Sequence, residues 1–83
     1  MQVDIVFSKS AFKHGMTEAD IRNAFSTVLF DGADNSDDSK FLTIGFDINR
    51  NLIEVIYSIM DDSTIFVFHA MKCRKEYLKY IER

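Results

Sequence analysis

A histidine followed closely by cations is the part of this sequence whose chemistry is easiest to name. His69 ends an apolar stretch, and the next ten residues include Lys72, Arg74, Lys75 and Lys79. If a helix begins there, its first backbone N–H groups and its positive dipole end add to these cations. Such an arrangement can hold a phosphate beside an imidazole that moves a proton. The segment therefore raises the question of whether RNA binds there.

The same side chains also have purely structural interpretations. His69 shares the parity of Ile65 and Val67 on the predicted strand, which favours a packed, hydrogen-bonded histidine. Arg74 could pair with a buried carboxylate such as Glu54 instead of a phosphate. The lysines could simply form a solvated helix face. Both interpretations stay open from the sequence.

The elements that must position these residues begin with a strand and a short helix. Alternating apolar residues over 3–7 predict the strand, and Ser8 can cap a brief helix that runs through Lys13 and stops at Gly15. His14 lies near the C-terminal end of that helix, where a positive charge is stabilised. Two roles are therefore open to His14: a structural one as a helix cap and a functional one in proton transfer.

A stronger helix is predicted next. Thr17 is a good N-cap, Asp20 stands three residues later as in a capping box, and Met16 is placed to staple onto Ile21. Apolar residues at helical spacing extend the helix over about 18 to 29. Residues 31–39 then hold turn formers and predict a solvated loop. A calcium loop is the alternative, but the aspartate spacing does not match one.

The second half of the chain predicts an antiparallel meander. Strands are expected over about 41 to 48, 52 to 60 and 64 to 70, joined by short polar connectors. Only Glu54 and Ser58 interrupt the apolar faces of the middle strand, which should be central and covered on both sides. Helices could cover one face, and a second copy of the chain or another protein could cover the other.

A final helix is predicted over about 71 to 82. When its residues are plotted at helical spacing, apolar side chains fall on one arc and basic ones opposite. The basic side consists of Lys72, Lys75, Lys79 and Arg83. Arg74 falls inside the apolar arc, so it must snorkel, pair with a carboxylate or line a site.

Composition limits the classes of protein to consider. The 83 residues are 47% hydrophobic and 28% charged, which predicts one globular α+β domain over 1–83. The net charge of −3 argues against a polyanion-binding protein, but acidic loops and a basic end predict a polarised molecule. Cys73 has no cysteine partner for a disulfide or a metal site. Without a signal-like start or a spanning segment, a cytoplasmic protein is expected.

Four segments carry a resemblance that runs over nearly the whole chain: Lys13–Gly15, Phe41–Gly45, Leu52–Val55 and Phe68–Tyr80. In this order and spacing they resemble the BrnT-like ribonuclease toxins of bacterial type II toxin-antitoxin pairs. The resemblance implies a RelE-like α+β fold, with a three- to four-stranded antiparallel sheet, N-terminal helices and a C-terminal helix. It also implies RNA cleavage without the ribosome and a cognate antitoxin. BrnT proteins usually have an arginine where this chain has Met71.

Metal-free RNA cleavage needs a base, an acid and cations beside the phosphate. The candidate catalytic residues are His69 as base, Arg74 and Lys72 as phosphate-stabilising cations, and His14 as a second acid. The candidate RNA contacts are Lys13, Lys75 and Lys79, and no metal or cofactor is expected. The expected partners are an RNA substrate and an antitoxin, with a second copy of the chain left open and no membrane expected. The alternative is a non-catalytic module of the same fold that binds a protein, which suits the net charge and Met71.

Overall fold

The computed structural model describes residues 3–35 and 37–82. Five strands, one α-helix and two short 3₁₀ helices follow one another within these residues. In order they are β1 (Asp4–Phe7), the 3₁₀ helix η1 (Lys9–Phe12), α1 (Glu18–Ser26), β2 (Phe30–Asp34), β3 (Asp37–Phe46), β4 (Leu52–Asp61), β5 (Thr64–Lys72) and the 3₁₀ helix η2 (Lys75–Tyr80). Within the described residues, no helix has the length and apolar character needed to span a membrane.

The strands form one mixed sheet in the order β1-β5-β4-β3-β2. β4 is the central strand, as the sequence predicts, and its pairings with β3 and β5 are antiparallel. β1 pairs with β5 in parallel, from Asp4 opposite Thr64 to Phe7 opposite Val67. The α+β class is confirmed. The expected antiparallel sheet of three to four strands is replaced by a mixed sheet of five.

The predicted loop over 31–39 is wrong, because most of it belongs to the β2–β3 hairpin. Phe30 pairs with Ile44, and the ladder continues to Asp34 opposite Asp37. Glycine and aspartate are poor strand formers, so nothing local indicates this strand. It forms because β3 offers an unpaired edge, and pairing satisfies the backbone groups of both segments.

The capping signals before α1 are confirmed. The Thr17 hydroxyl accepts a hydrogen bond from the Asp20 N–H, and the Asp20 carboxylate accepts one from the Thr17 N–H at 2.9 Å. The helix ends at Ser26 and not near residue 29. Thr27 ends it because its hydroxyl donates to the Asn23 carbonyl and accepts from the Phe46 N–H, which turns the chain toward β2.

α1 covers one face of the sheet, and contact between helix and strand is close. A Cβ added to Gly45 of β3 would lie 2.3 Å from the Ala24 carbonyl oxygen, so only glycine allows this approach. The buried side chains between the two layers belong to Ala11, Ile21, Ala24, Ile53, Val55, Tyr57, Val67 and Ala70. Alternation along β4 therefore turns Glu54 toward the opposite face.

A β-bulge in β5 decides which face His69 occupies. Tyr57 is opposite Val67, but its neighbour Ile56 is opposite His69, so Phe68 is an extra residue. The bulge moves His69 away from the buried face of Val67 and onto the face of Glu54. The prediction that His69 shares a face with Ile65 and Val67 is therefore wrong.

The predicted helix over 71 to 82 is also wrong. β5 continues to Lys72, which is in register with Ile53, and the Cys73 N–H still bonds the Leu52 carbonyl. Only the 3₁₀ turns of η2 follow. Three residues per turn bring Tyr77 and Tyr80 together, with ring centroids 6.2 Å apart. The predicted basic helix face is broken up, and Arg83 lies outside the described residues.

η2 crosses the sheet face that α1 leaves open. Near its start, Arg74 pairs with Glu54 of β4, and at its end the Tyr80 ring stacks on Phe30 of β2 at 4.7 Å. Ile44 of β3, in register between Phe30 and Glu54, is fully buried. The last segment of the chain thus closes the second side of the core beside Glu54.

Candidate functional site

Glu54 is the centre of the only cluster in which predicted site residues meet among the described residues. Its side chain is 0% exposed, yet β4 is otherwise apolar around it. A buried carboxylate is costly unless donors surround it. Three groups from β5 and the segment after it bind it: the His69 ring, the Arg74 side chain and the Arg74 backbone N–H.

Arg74 binds Glu54 with its backbone and its side chain at once. Its backbone N–H donates to Oε1 at 2.9 Å, Nη2 donates to Oε2 at 2.7 Å, and Nε lies 3.1 and 3.2 Å from the two oxygens. The ion-pair interpretation of Arg74 is thereby observed. The side chain remains 41% exposed, so the guanidinium also faces solvent.

The site does not hold phosphate at a helix N-terminus. The first N–H group that such a site would offer, that of Arg74, is already bonded to Glu54. η2 is a 3₁₀ helix of six residues, too short for an appreciable dipole. Any anion at this place would instead meet the exposed edge of the guanidinium.

His69 completes the shell of Glu54. Its Nε2 lies 2.9 Å from Oε2, and the side chain is 23% exposed. The bulge at Phe68 makes this contact possible, because without it the imidazole would point to the α1 side of the sheet. One edge of the ring is therefore fixed by a buried carboxylate while the ring still reaches the surface.

His14 meets His69 from a distant part of the sequence. The two ring centroids are 5.4 Å apart and the rings are nearly perpendicular. η1 brings His14 there: the Ser10 hydroxyl donates to the Phe68 carbonyl, and Gly15 turns the chain back with φ of 86°. The C-cap of η1 is Lys13, so His14 lies one residue beyond the cap.

The charges of the cluster are settled by burial and by hydrogen bonds. Burial by itself would raise the pKa of Glu54, but the bonds from His69 and from the side chain and backbone of Arg74 outweigh it and lower that pKa. The bond to Glu54 in turn raises the pKa of Arg74. Glu54 is thus an anion and Arg74 a cation throughout the physiological range.

Tyr77 is an additional member of the cluster that the sequence did not point to as a site residue. Its hydroxyl accepts from Arg74 Nη2 at 3.3 Å, and the guanidinium carbon lies 5.0 Å from its ring centroid. Burial raises the pKa of Tyr77. Arg74 and Tyr77 are three residues apart, which matches one turn of a 3₁₀ helix, and this spacing is the signal in the sequence that could have indicated their contact.

The remaining predicted residues lie around the cluster or away from it. Lys72 pairs in register with Ile53, so strand alternation places it on the opposite side of β5 from Glu54. Lys13 adjoins His14 and is exposed. Lys75 and Lys79 are exposed on η2, and the Lys79 ammonium lies over the Tyr80 ring. The structure thus brings His14, His69 and Arg74 together but leaves Lys72 apart.

Metal binding has no constellation to support it in the described ranges. Among residues 3–35 and 37–82, no three His, Cys, Asp or Glu side chains are grouped as ligands of an ion. In the predicted loop, Asp37 instead accepts hydrogen bonds from Ser39 and lies 3.8 Å from Lys40. These contacts are those of a hairpin turn.

Fold and site define the chain as an α+β protein in which a histidine and an arginine bind one buried carboxylate and a second histidine packs against the first. Its particular family is not established by similarity. The chain matches no protein-family model, and no curated protein matches it in sequence.

Proposed function

We propose that the chain is a metal-independent endoribonuclease and acts as the toxin of a toxin-antitoxin pair. The observation that carries this proposal is the contact between the His14 and His69 rings, 5.4 Å apart, beside a half-exposed guanidinium. Two imidazoles and a cation are the groups that RNA needs for cleavage through its own 2′-hydroxyl. Lys13 beside His14 would add attraction for the backbone of the RNA.

The reaction needs two proton transfers, one from the RNA to the protein and one from the protein to the leaving group. His69 takes the proton of the ribose 2′-hydroxyl while the 2′-oxygen attacks phosphorus. The bond from phosphorus to the 5′-oxygen breaks, and protonated His14 supplies the proton that the leaving oxygen needs. The products are a 2′,3′-cyclic phosphate and a 5′-hydroxyl. His14 is exposed and the His69 side chain is 23% exposed, so a phosphate could reach both rings.

Arg74 supports the negative charge that grows on the phosphoryl oxygens. Nε and Nη2 are occupied by Glu54 and Tyr77, whereas Nη1 has no hydrogen bond to a described residue. The arginine therefore contributes one or two N–H donors to the phosphate and not a full bidentate clamp. Lys75 and Lys79 would contribute affinity without sequence preference.

Cleavage of a labelled single-stranded RNA in the presence of EDTA tests the proposal. We expect the wild-type chain to cut and to leave cyclic phosphate ends. His14→Ala and His69→Ala should each lower the rate by about a hundredfold or more, because each removes a proton-transfer group. Arg74→Ala should also impair cleavage.

Arg22→Ala is the matched control for the arginine, since Arg22 makes an exposed ion pair with Glu18 on α1. It should cut at the wild-type rate. Intact RNA with the wild-type chain, or full activity after both histidine substitutions, would refute the assignment. Circular dichroism of each variant separates loss of chemistry from loss of fold.

A non-catalytic protein-binding module of the same fold is the second candidate. It is favoured by one observation: Arg74 and His69 both bind the buried Glu54 carboxylate, which is enough to give them a structural role. Under this hypothesis expression of the chain is harmless and RNA remains intact, while a stable complex forms with the product of a neighbouring gene. A growth arrest that His69→Ala relieves would exclude it.

A further inference from the structure

Glu54 controls more than the position of His69, because its charge also decides which ring nitrogen carries hydrogen. We infer that Glu54 is a positioning residue that holds neutral His69 in the Nε2–H tautomer and leaves Nδ1 as the proton-accepting atom. This inference rests on the proposed function only for the catalytic use of Nδ1. The tautomer itself follows from the geometry of the cluster.

Arg74 donates hydrogen bonds to both carboxylate oxygens of Glu54. Oε2 accepts from Arg74 Nη2 at 2.7 Å, and Oε1 accepts from the Arg74 N–H at 2.9 Å. These donors cannot become acceptors, because a guanidinium and a backbone N–H have no lone pair to offer. With both oxygens facing permanent donors, the carboxylate is held ionised and can only accept.

The imidazole of His69 lies against the same carboxylate. Nε2 of His69 lies 2.9 Å from Oε2. A lone pair on Nε2 would face a lone pair of the carboxylate in a site where Glu54 is fully buried, and such a contact is strongly unfavourable. Nε2 therefore carries hydrogen in the neutral ring as well as in the charged one. The single lone pair of neutral His69 is then on Nδ1.

The Glu54 carboxylate also fixes the positions of His69 and Arg74 relative to each other. The Glu54 side chain cannot turn away, since donors from β5 and from Arg74 hold both oxygens. One buried carboxylate thus orients the proposed base and the proposed phosphate-binding arginine together. A carboxylate that fixes the tautomer of a catalytic histidine is worth several orders of magnitude in rate in known enzymes.

Long-range proton–nitrogen correlation spectra test the tautomer directly. The chain has 2 histidines, so a His14→Gln sample assigns both signals. In the neutral form of the ring, we expect the His69 signal of the wild-type chain to show hydrogen on Nε2. Hydrogen mainly on Nδ1 would overturn the inference.

Glu54→Gln provides the second measurement. Its amide must place an NH₂ group or a single acceptor among the donors, so the His69 spectrum should shift toward the Nδ1–H form while the His14 spectrum stays unchanged. Asp20→Asn is the matched control, because Asp20 is also a buried carboxylate held by N–H donors. It should leave the His69 tautomer unaltered. If Glu54→Gln does not fold, Glu54→Asp keeps the charge but shortens the side chain and should also release Nε2.

Kinetics then separate this inference from the proposed function. If the chain cleaves RNA, Glu54→Gln should lower kcat by about a hundredfold or more with little change in KM, and should shift the pH profile. If the wild-type chain cleaves no RNA, the proposed function fails while the spectra still decide the tautomer. An unchanged His69 spectrum and an unchanged kcat in Glu54→Gln would refute the positioning role.

Discussion

The role of a single residue in this protein depends on its contacts more than on its residue type. The pairing of Arg74 with a carboxylate was foreseeable, because Arg74 fell among apolar positions and Glu54 interrupted an apolar strand. The meeting of His14 with His69 was not foreseeable. It depends on a bulge at Phe68 and on the turn at Gly15, and neither leaves a periodic signal in the sequence.

Glu54 should make the stability of the fold depend on acidity. Its pKa is lowered in the folded chain, so its contribution is fully present above the unfolded value of about 4.3 and is lost as pH falls through the folded value. We expect the urea midpoint of the wild-type chain to fall below about pH 4.3.

Glu54→Gln should remove part of that dependence. Its free energy of unfolding at neutral pH should be lower by roughly 1–3 kcal/mol, because the charge-assisted bonds of the buried carboxylate are lost. The difference between the two chains should shrink as the pH is lowered. A difference that stays constant across the acid range would show that Glu54 does not titrate between the folded and unfolded states as stated.

The secondary structure elements show where local pattern and tertiary pairing disagree. The capping box of α1 and the three central strands follow from local signals, and the sequence predicted them with small errors at their ends. β2 and η2 do not follow from local signals. β2 has strand-poor residues and forms on the edge of β3, while the helical pattern after Met71 is overridden because β5 remains paired with β4 through Lys72.

The packing of α1 on β3 depends on the absence of a side chain at Gly45. Gly45→Ala should destabilise the fold by about 2 kcal/mol or more, because the added methyl group meets the Ala24 backbone carbonyl, which cannot move without shifting the helix. Thermal or urea unfolding measures this loss.

Gly32→Ala in β2 is the control for that substitution. There the added methyl group would meet only the far end of the Phe30 ring, which can rotate aside. A similar loss of stability in both variants would mean that the close contact with the Ala24 carbonyl is not the cause, because replacing glycine by alanine in a strand would by itself stabilise the fold.

The whole molecule has an acidic end. The turns between β2 and β3 and between β4 and β5 lie at the same end of the sheet, and β1 begins there too. This end carries the aspartates Asp4, Asp34, Asp37, Asp38, Asp61 and Asp62. The His14–His69 pair lies farther along β5, away from these aspartates. A net charge of −3 therefore does not describe the surroundings of the site.

The protection of backbone amides against hydrogen exchange should vary strongly across the sheet. β4 is paired on both sides and its Val55 is fully buried, whereas β1 is a four-residue edge strand with Val6 exposed. We expect amide hydrogen exchange at Val55 to be at least about tenfold slower than at Val6. Equal rates would indicate that the sheet opens only as one cooperative unit.

The parallel pairing of β1 with β5 has a consequence for synthesis. During translation, residues 4–7 emerge long before residues 64–67, which are their partners, so the first strand must wait unpaired until the last one has been made. The same delay separates His14 from His69. A chain that ends before His69 thus contains no histidine pair, and the proposed nuclease activity can arise only once translation has passed β5.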